Sequence, residues 1–292
     1  MSNNEKGYVR LIDKGPYTLY IPHSHARAVV QIAIGMGEKR GDYEPLANLL
    51  SSNGIVTAVL SYPEDVRVKG ADKTLVKIVG NTVLEIKKTF RNAPYFLFGH
   101  GLGALLSGAL IVSEPQLVDA LIMTGLYTLP PYSFFKGRKV KTLISKCEDD
   151  GYLSEEARKN LFGGIIASAT SEDDYKNCDF YTEKITVGEA MAFFELSKYV
   201  FSPEWYRDIS GGFSVMLAGG EKSPLTKYGE GVICEAKNLN MAGVSDVSAK
   251  LFHLSHSVVS GSDAAIKEFD DFLITFINER IDSINEARRM NF

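Results

Sequence analysis

Along this chain, short continuous apolar runs alternate with stretches whose apolar residues recur every three or four positions. Ala28 to Ile34 (AVVQIAI) is a run of the first kind, ended by Gly35-Met36-Gly37, and reads as a buried strand. From about Asp42 to Ser52 the residues Tyr43, Leu46, Ala47 and Leu50 have helical spacing. Asn53-Gly54 stops that helix, and Ile55 to Leu60 is the next strand. A longer helix covers Ala71 to Arg91, with Leu75, Ile78, Val79, Val83, Ile86 and Phe90 on one face. Tyr95 to Phe98 is a short strand that runs into Gly99-His100-Gly101-Leu102-Gly103. An apolar helix to about Ser113 and a strand at Ala120 to Met123 follow.

The rhythm breaks from about Tyr127 to Ser210, where aromatic and charged residues increase and the periodicity is helical. Strands resume at Phe213 to Leu217 and Ala249 to His253, on either side of a helix near Tyr228 to Met241. A last amphipathic helix runs from Asp263 to about Ile284. Parallel neighbours need crossover connections, so this alternation predicts an α/β fold with a mostly parallel central sheet and helices on both faces. The interruption is too long for a loop and reads as a helical insertion. The expected division is a core of 1–126 and 211–292 with an inserted helical unit at 127–210.

Composition narrows the class. The 292 residues carry 32 basic and 36 acidic side chains, a net charge of −4, with pI near 5.8, so no basic surface for nucleic acid is expected. With 45% hydrophobic and 23% charged residues the chain is ordinary for a globular protein. No run approaches the ~18 apolar residues of a membrane span, so no integral membrane association is expected. The opening Met1 to Lys6 is polar, and the three cysteines, Cys147, Cys178 and Cys234, are scattered. Both features lead to the expectation of a cytoplasmic protein without a disulfide framework. Cys178 and Cys234 read as packing residues rather than nucleophiles. His23 and His25 form an H-x-H pair with no carboxylate cluster beside it, so no metal site is expected, and no cofactor.

The segment Phe96 to Ala104 (FLFGHGLGA) carries the most chemistry. A strand, a sharp glycine turn and a helix can cradle a dinucleotide, and Gly99, Gly101 and Ala104 fit G-x-G-x-x-G/A. That site also wants an acid at the end of the next strand, where this chain has Met123-Thr124-Gly125-Leu126. The other reading is a nucleophile elbow, G-x-S-x-G, with Gly99 and Gly103 as the small residues that let strand and helix approach.

At this point the sequence resembles the monoacylglycerol lipase and lysophospholipase branch of the α/β-hydrolases, which is similar to the S33 serine aminopeptidases. Four segments carry the likeness, in the family's order. Ile34-Gly35-Met36-Gly37-Glu38, then Asp42-Tyr43 and Leu46-Ala47, resembles the H-G-M/A-x-E segment. Gly99 to Gly103 (including His100) resembles the elbow. Gly219 to Pro224, then Gly229 to Val232, resembles the G-x-x-D-P acid loop and its G-x-G-V. Leu254-Ser255-His256 stands where the family has its catalytic histidine. The resemblance implies an α/β-hydrolase fold with a helical cap inserted after strand six. It also implies that the aromatic residues Phe180, Tyr181, Phe193, Phe194, Tyr199, Phe201, Trp205 and Tyr206 form contacts between cap helices, with two or three lining an acyl pocket.

The departures define the functional expectation. The family's chemistry needs a serine to attack, a histidine to take its proton and an acid to orient the histidine. By the resemblance, the catalytic positions are Gly101 for the nucleophile, Ser223 for the acid and His256 for the base. A Ser→Gly change alone is what an engineered inactivation leaves; loss of the acid as well points to natural degeneration of the triad. Ile34 also replaces the usual histidine of the oxyanion segment. Glu221, one pleat before Ser223, is the nearest candidate to replace the acid, and His253 the alternative histidine. The backbone N–H groups of Met36 and Leu102 are expected to keep an oxyanion hole. A carboxylate such as a fatty-acid head group would fit there, since the donors do not depend on side-chain identity.

Three functional readings follow from this resemblance. The leading one is a catalytically impaired carboxylic-ester hydrolase relative that binds an acyl or monoacylglycerol-like ligand or a protein partner. The second is an active ester hydrolase, in an engineered Ser→Gly form or with water activated by His256. The third is a structural or interaction protein with no small ligand.

Overall fold

The computed structural model describes residues 9–66, 69–126, 184–209, 211–257 and 263–290, together with 142, 151–154 and 157. Eight strands form one sheet: β1 Val9–Asp13, β2 Tyr17–Pro22, β3 Ala28–Ala33, β4 Ile55–Leu60, β5 Tyr95–His100, β6 Ala120–Thr124, β7 Ser214–Gly220 and β8 Asp246–Phe252. Their order is β1-β2-β4-β3-β5-β6-β7-β8. β1 and β2 pair antiparallel with each other, and β2 with β4; every other pairing is parallel.

The apolar runs become strands because both sheet faces are covered. Every residue of β3, β4, β5 and β6 is buried, the condition that produces unbroken apolar runs in place of alternation. Successive side chains still diverge to opposite faces. Val29, Leu97 and Leu121 join one core, and Val30, Ile32, Phe96 and Phe98 the other. Two helices, α1 Glu44–Ser52 and a C-terminal helix at Asp263–Met290, cover the second core through Leu46, Leu50, Phe269, Leu273 and Ile277.

The first core is covered by α2 Ala71–Thr89, α3 Leu102–Ser113, α4 Val187–Tyr199, α5 Pro203–Asp208 and α6 Glu230–Met241. The C-terminal helix is α7. α3 is apolar nearly all round because it is packed between β5, α2 and α4.

Most of the segment read as an inserted cap, including Cys147, Cys178, Phe180 and Tyr181, lies outside the described residues. Its C-terminal part, α4 and α5, packs directly on the core. The Trp205 indole Nε1 donates to the Gly108 carbonyl of α3 at 2.8 Å. A Cβ at Gly188 would lie 2.7 Å from the Val66 carbonyl oxygen, so glycine is what lets α4 approach this closely. Phe193, Phe194 and Trp205 are buried in this packing, and Phe201 and Tyr206 meet Trp205 edge to face.

Three sequence expectations need correction. The strand reading begins at Ala28, whereas the sheet also contains the β1–β2 hairpin, turned at Gly15 with φ +83°. Cys234 is exposed on α6 rather than packed. The final helix continues beyond Ile284 to Met290, ending in the polar turn Glu286 to Arg289.

Candidate active site

The site lies at the carboxyl ends of β3, β5, β7 and β8, where the strands hand over to loops. Its centre is the turn at Gly101. β5 ends at His100, and α3 starts at Leu102, so Gly101 alone turns the chain, with φ 54° and ψ −115°. Glycine takes such a backbone without steric penalty, whereas other residues there cost about 1–3 kcal/mol. The flanking glycines are required by proximity. A Cβ at Gly99 would sit 2.5 Å from the Ala104 Cα, and one at Gly103 would sit 1.8 Å from the Ala33 carbonyl oxygen. This is the sharp strand-to-helix turn that the glycine spacing predicts.

The contact of Gly103 with the end of β3 sets the loop Ile34 to Glu38 beside the start of α3. Four side chains hold that loop. The Glu38 carboxylate accepts hydrogen bonds from the Gly35 N–H and, at 2.6 Å, from the Tyr43 hydroxyl. The Tyr62 hydroxyl donates to the Ile34 carbonyl at 2.9 Å. The Gly37 N–H donates to Glu189 Oε1, on α4, at 3.2 Å. Leu102 is the first residue of α3, so its N–H has no intrahelical acceptor. Among the described residues, neither it nor the Met36 N–H donates to another protein group.

On the other side, the ends of β7 and β8 close together. A Cβ at Gly220 would lie 1.8 Å from the Ser255 carbonyl oxygen, and Lys222 N–H donates to the Leu254 carbonyl at 3.0 Å. This approach brings Ser223 and His256 into contact, with Ser223 Oγ 3.4 Å from His256 Nδ1. Both are buried, at 1% and 3% exposure. The Ser223 carbonyl accepts from Tyr228 N–H at 2.8 Å and from the Thr226 hydroxyl at 3.2 Å, which pins the turn.

His100 links the halves. Its ring centroid is 5.2 Å from that of His256, its Nδ1 is 2.8 Å from Thr124 Oγ1, and its Nε2 is 3.6 Å from Glu38 Oε1. Gly125, at φ +59°, leaves room for this ring: a Cβ there would come within 2.5 Å of it.

The electrostatics keep His256 neutral. Burial, with the neighbouring His100 as the second cause, holds its pKa well below the ordinary histidine value. Burial raises Glu189 despite the bonds it accepts from the Thr186 main chain and hydroxyl and from Gly37. Tyr43 and Tyr62 are pushed far up, chiefly by burial, and stay phenols.

The structure brings Gly99, His100, Gly101, Leu102, Gly103, Met36, Ser223 and His256 to one end of the sheet. It separates the two substitutes weighed from sequence. The Glu221 carboxylate lies on the surface, 3.4 Å from His253 Nδ1, and these side chains are 52% and 70% exposed. Neither serves the buried pair. His23 and His25 are exposed in the loop after β2. The sequence reading missed Glu189, Tyr62 and Thr124. Thr186-Val187-Gly188-Glu189 does carry a visible T-x-x-E capping box, and the structure contains it. The box announces a helix start, but not that its glutamate reaches Gly37.

An eight-stranded sheet in this order, with a glycine elbow after β5 and a histidine loop after β8, defines an α/β-hydrolase. The chain belongs to the serine aminopeptidase S33 family, whose profile matches residues 24–258. It is 32% identical over 108 residues to a monoglyceride lipase homolog of Monkeypox virus, a match covering 35% of this chain and 39% of that protein. It thus spans well under half of that relative. The fold is shared with a lipase in its open form (TM-score 0.74, 18% identity, 95% of this chain and 96% of that one). It is shared as well with a monoacylglycerol lipase from Paleococcus ferrophilus (TM-score 0.64, 18% identity, 93% and 99%).

Proposed function

We propose that this chain is a catalytically impaired relative of the carboxylic-ester hydrolases that holds an acyl ligand by its polar head at the Gly101 turn. The observation that carries the reading is the pair Ser223–His256. In a working triad the acid stabilises the imidazolium that forms when histidine takes the serine's proton. Here the group 3.4 Å from His256 Nδ1 is a neutral hydroxyl, and the imidazole sits where burial and His100 both disfavour its protonated form. Gly101 offers no oxygen to attack with. Loss of the nucleophile alone costs a serine hydrolase about 10⁶ in kcat.

Support for retained binding comes from what does not depend on those side chains. The Met36 and Leu102 N–H groups border the turn, and the end of α3 that carries Leu102 is the one that favours an anion or a polarised carbonyl. The names of the Monkeypox virus and Paleococcus ferrophilus relatives refer to acyl-glycerol lipases, and we extend that ligand class to this chain.

The test is hydrolysis of short- and long-acyl esters by this chain and by His256→Ala, with fatty-acid binding measured on the same samples. Background turnover in both, with saturable fatty-acid binding, is the expected result. Turnover that disappears in His256→Ala overturns the impaired reading in favour of water activated by a neutral His256. Background turnover without fatty-acid binding removes the acyl-ligand reading.

A further inference from the structure

A second feature lies at the opposite end of the strands, beneath the amino ends of β5 and β6. There the chain leaves α2, which covers the first core, and α7, which covers the second, comes to its end. Arg91, Asn92, Asn285, Arg288 and Arg289 line an open cavity of about 860 Å³ between them. That volume is within the usual range of small-molecule sites, roughly 300–1,000 Å³. Of the cations in the last turns of the two helices, Arg288 and Arg289 of α7 line this cavity. Cations complement the dipole at any helix C-terminus. The lining itself comes from the chain just past α2, as Arg91 and Asn92, and from the last turns of α7, as Asn285, Arg288 and Arg289, in a chain of net charge −4.

Bonding within the cluster divides its arginines into two kinds. Arg288 is committed to the fold: its Nη2 makes 2.9 and 3.1 Å bonds to the two Asp119 carboxylate oxygens, and its Nη1 donates to the Asn92 carbonyl at 2.8 Å. Asp119 in turn accepts from the Tyr95 N–H at 2.7 Å, so this arginine fastens α7 to the amino end of β5. Arg91 spends only its Nε, on the Lys88 carbonyl at 3.3 Å. Among the described residues, the Arg91 and Arg289 guanidinium groups meet no carboxylate. Two forked cations therefore flank the cavity with no ion pair to a described carboxylate. Asn92 and Asn285 add carboxamide donors.

We infer that this cavity is a binding site for a phosphate-bearing ligand, with Arg91 and Arg289 as the gripping residues and Arg288 as the scaffold. The planar guanidinium fork matches phosphate oxygens in pairs, and such charge-assisted bonds are the strong ones. The ligand's phosphate is either that of a soluble compound or that of a lipid headgroup. The site is separate from the Gly101 turn, and its occupancy does not depend on what that turn does.

Calorimetric titration of the full chain with inorganic pyrophosphate, and co-sedimentation with phosphatidylcholine vesicles containing phosphatidic acid, test the inference. Binding to at least one probe is expected. The Arg91→Ala/Arg289→Ala double substitution weakens it by about tenfold or more, since each lost charge-assisted bond carries more than one decade of affinity. Arg91→Lys/Arg289→Lys keeps the charge but loses the fork and falls between the two. Both residues are exposed, so unfolding is not expected; Arg289→Glu alone serves as the second variant. Pyrophosphate binding identifies a soluble phosphate compound as the ligand class, and binding to vesicles alone identifies a headgroup. No binding to either probe, or binding that both substitutions leave unchanged, overturns the inference.

Discussion

Ser223 Oγ lies 3.4 Å from His256 Nδ1, with both side chains buried at the meeting of the β7 and β8 loops. The contact sets a neutral hydroxyl against a histidine that burial keeps neutral. Ser223→Asp is expected to raise the His256 pKa, because a carboxylate that close favours the imidazolium. Titration of the His256 ring protons by NMR in the variant and the parent checks it, and an unchanged value rejects the pairing as the controlling contact.

Rebuilding the site is expected to need both changes. Gly101→Ser with Ser223→Asp should show ester hydrolysis above the parent, whereas either substitution alone should stay close to it, because triad members act as a unit. The Gly101→Ser step carries its own cost, about 1–3 kcal/mol, from a backbone held at φ 54°. Urea denaturation of Gly101→Ser and Gly101→Ala should give the same loss, since the strain belongs to Cβ and not to the hydroxyl.

Acid sensitivity should follow from His256. Its folded pKa is depressed, so the unfolded chain binds the proton more tightly, and the stability it contributes is full above about pH 6.5 and declines as pH falls below that value. Glu189 works in the opposite sense: its folded pKa is raised, so its contribution falls as pH rises above about 4.5. Thermal melts of the parent minus those of His256→Gln, taken across this range, isolate the first effect. A difference that does not grow on acidification would count against a buried, neutral His256.

Glu189 ties α4 to the loop Ile34 to Glu38 through Gly37, and caps its own helix through Thr186. Glu189→Ala leaves the Gly37 and Thr186 N–H groups without their acceptor and is expected to cost about 1–3 kcal/mol. Glu189→Gln, which keeps one carbonyl oxygen, should recover part of that. Chemical denaturation of the two variants distinguishes this from simple packing loss, which would leave Gln and Ala closer together.

Gly103→Ala should be strongly disruptive, because the new Cβ meets the Ala33 carbonyl oxygen, which is backbone and cannot rotate away. A loss of about 3 kcal/mol or more is expected, at the upper end of overpacking costs. Gly41→Ala is the matching control, since a Cβ there has nothing within 4 Å.

Local pattern alone was enough to reveal much of this protein. Unbroken apolar runs such as Ala28 to Ala33 and Tyr95 to Phe98 are legible as central strands because burial on both faces removes alternation. Gly99-x-Gly101-x-Gly103 is legible as a turn because only glycine tolerates its close contacts. The N-terminal hairpin was not read that way: Val9 to Pro22 mixes polar and apolar residues at a sheet edge, and Leu11 is exposed. The order of the motifs along the chain also announced the α/β-hydrolase core.

Tertiary structure decided what those residues meet. Read as a sequence, Ser223 holds the acid position and Glu221, one pleat away, is the candidate to replace it. The close approach of Gly220 to Ser255 turns Ser223 toward His256 and leaves Glu221 at the surface with His253. Glu189 reads as a helix cap until α4 folds over α2 and α3 and brings its carboxylate to Gly37. Arg91 and Arg289 stand nearly two hundred positions apart and share a cavity only because the chain just past α2 and the last turns of α7 line it together. Periodicity reports which side of an element faces the core, but contacts between distant segments arise from how those elements pack, and no local pattern carries that information.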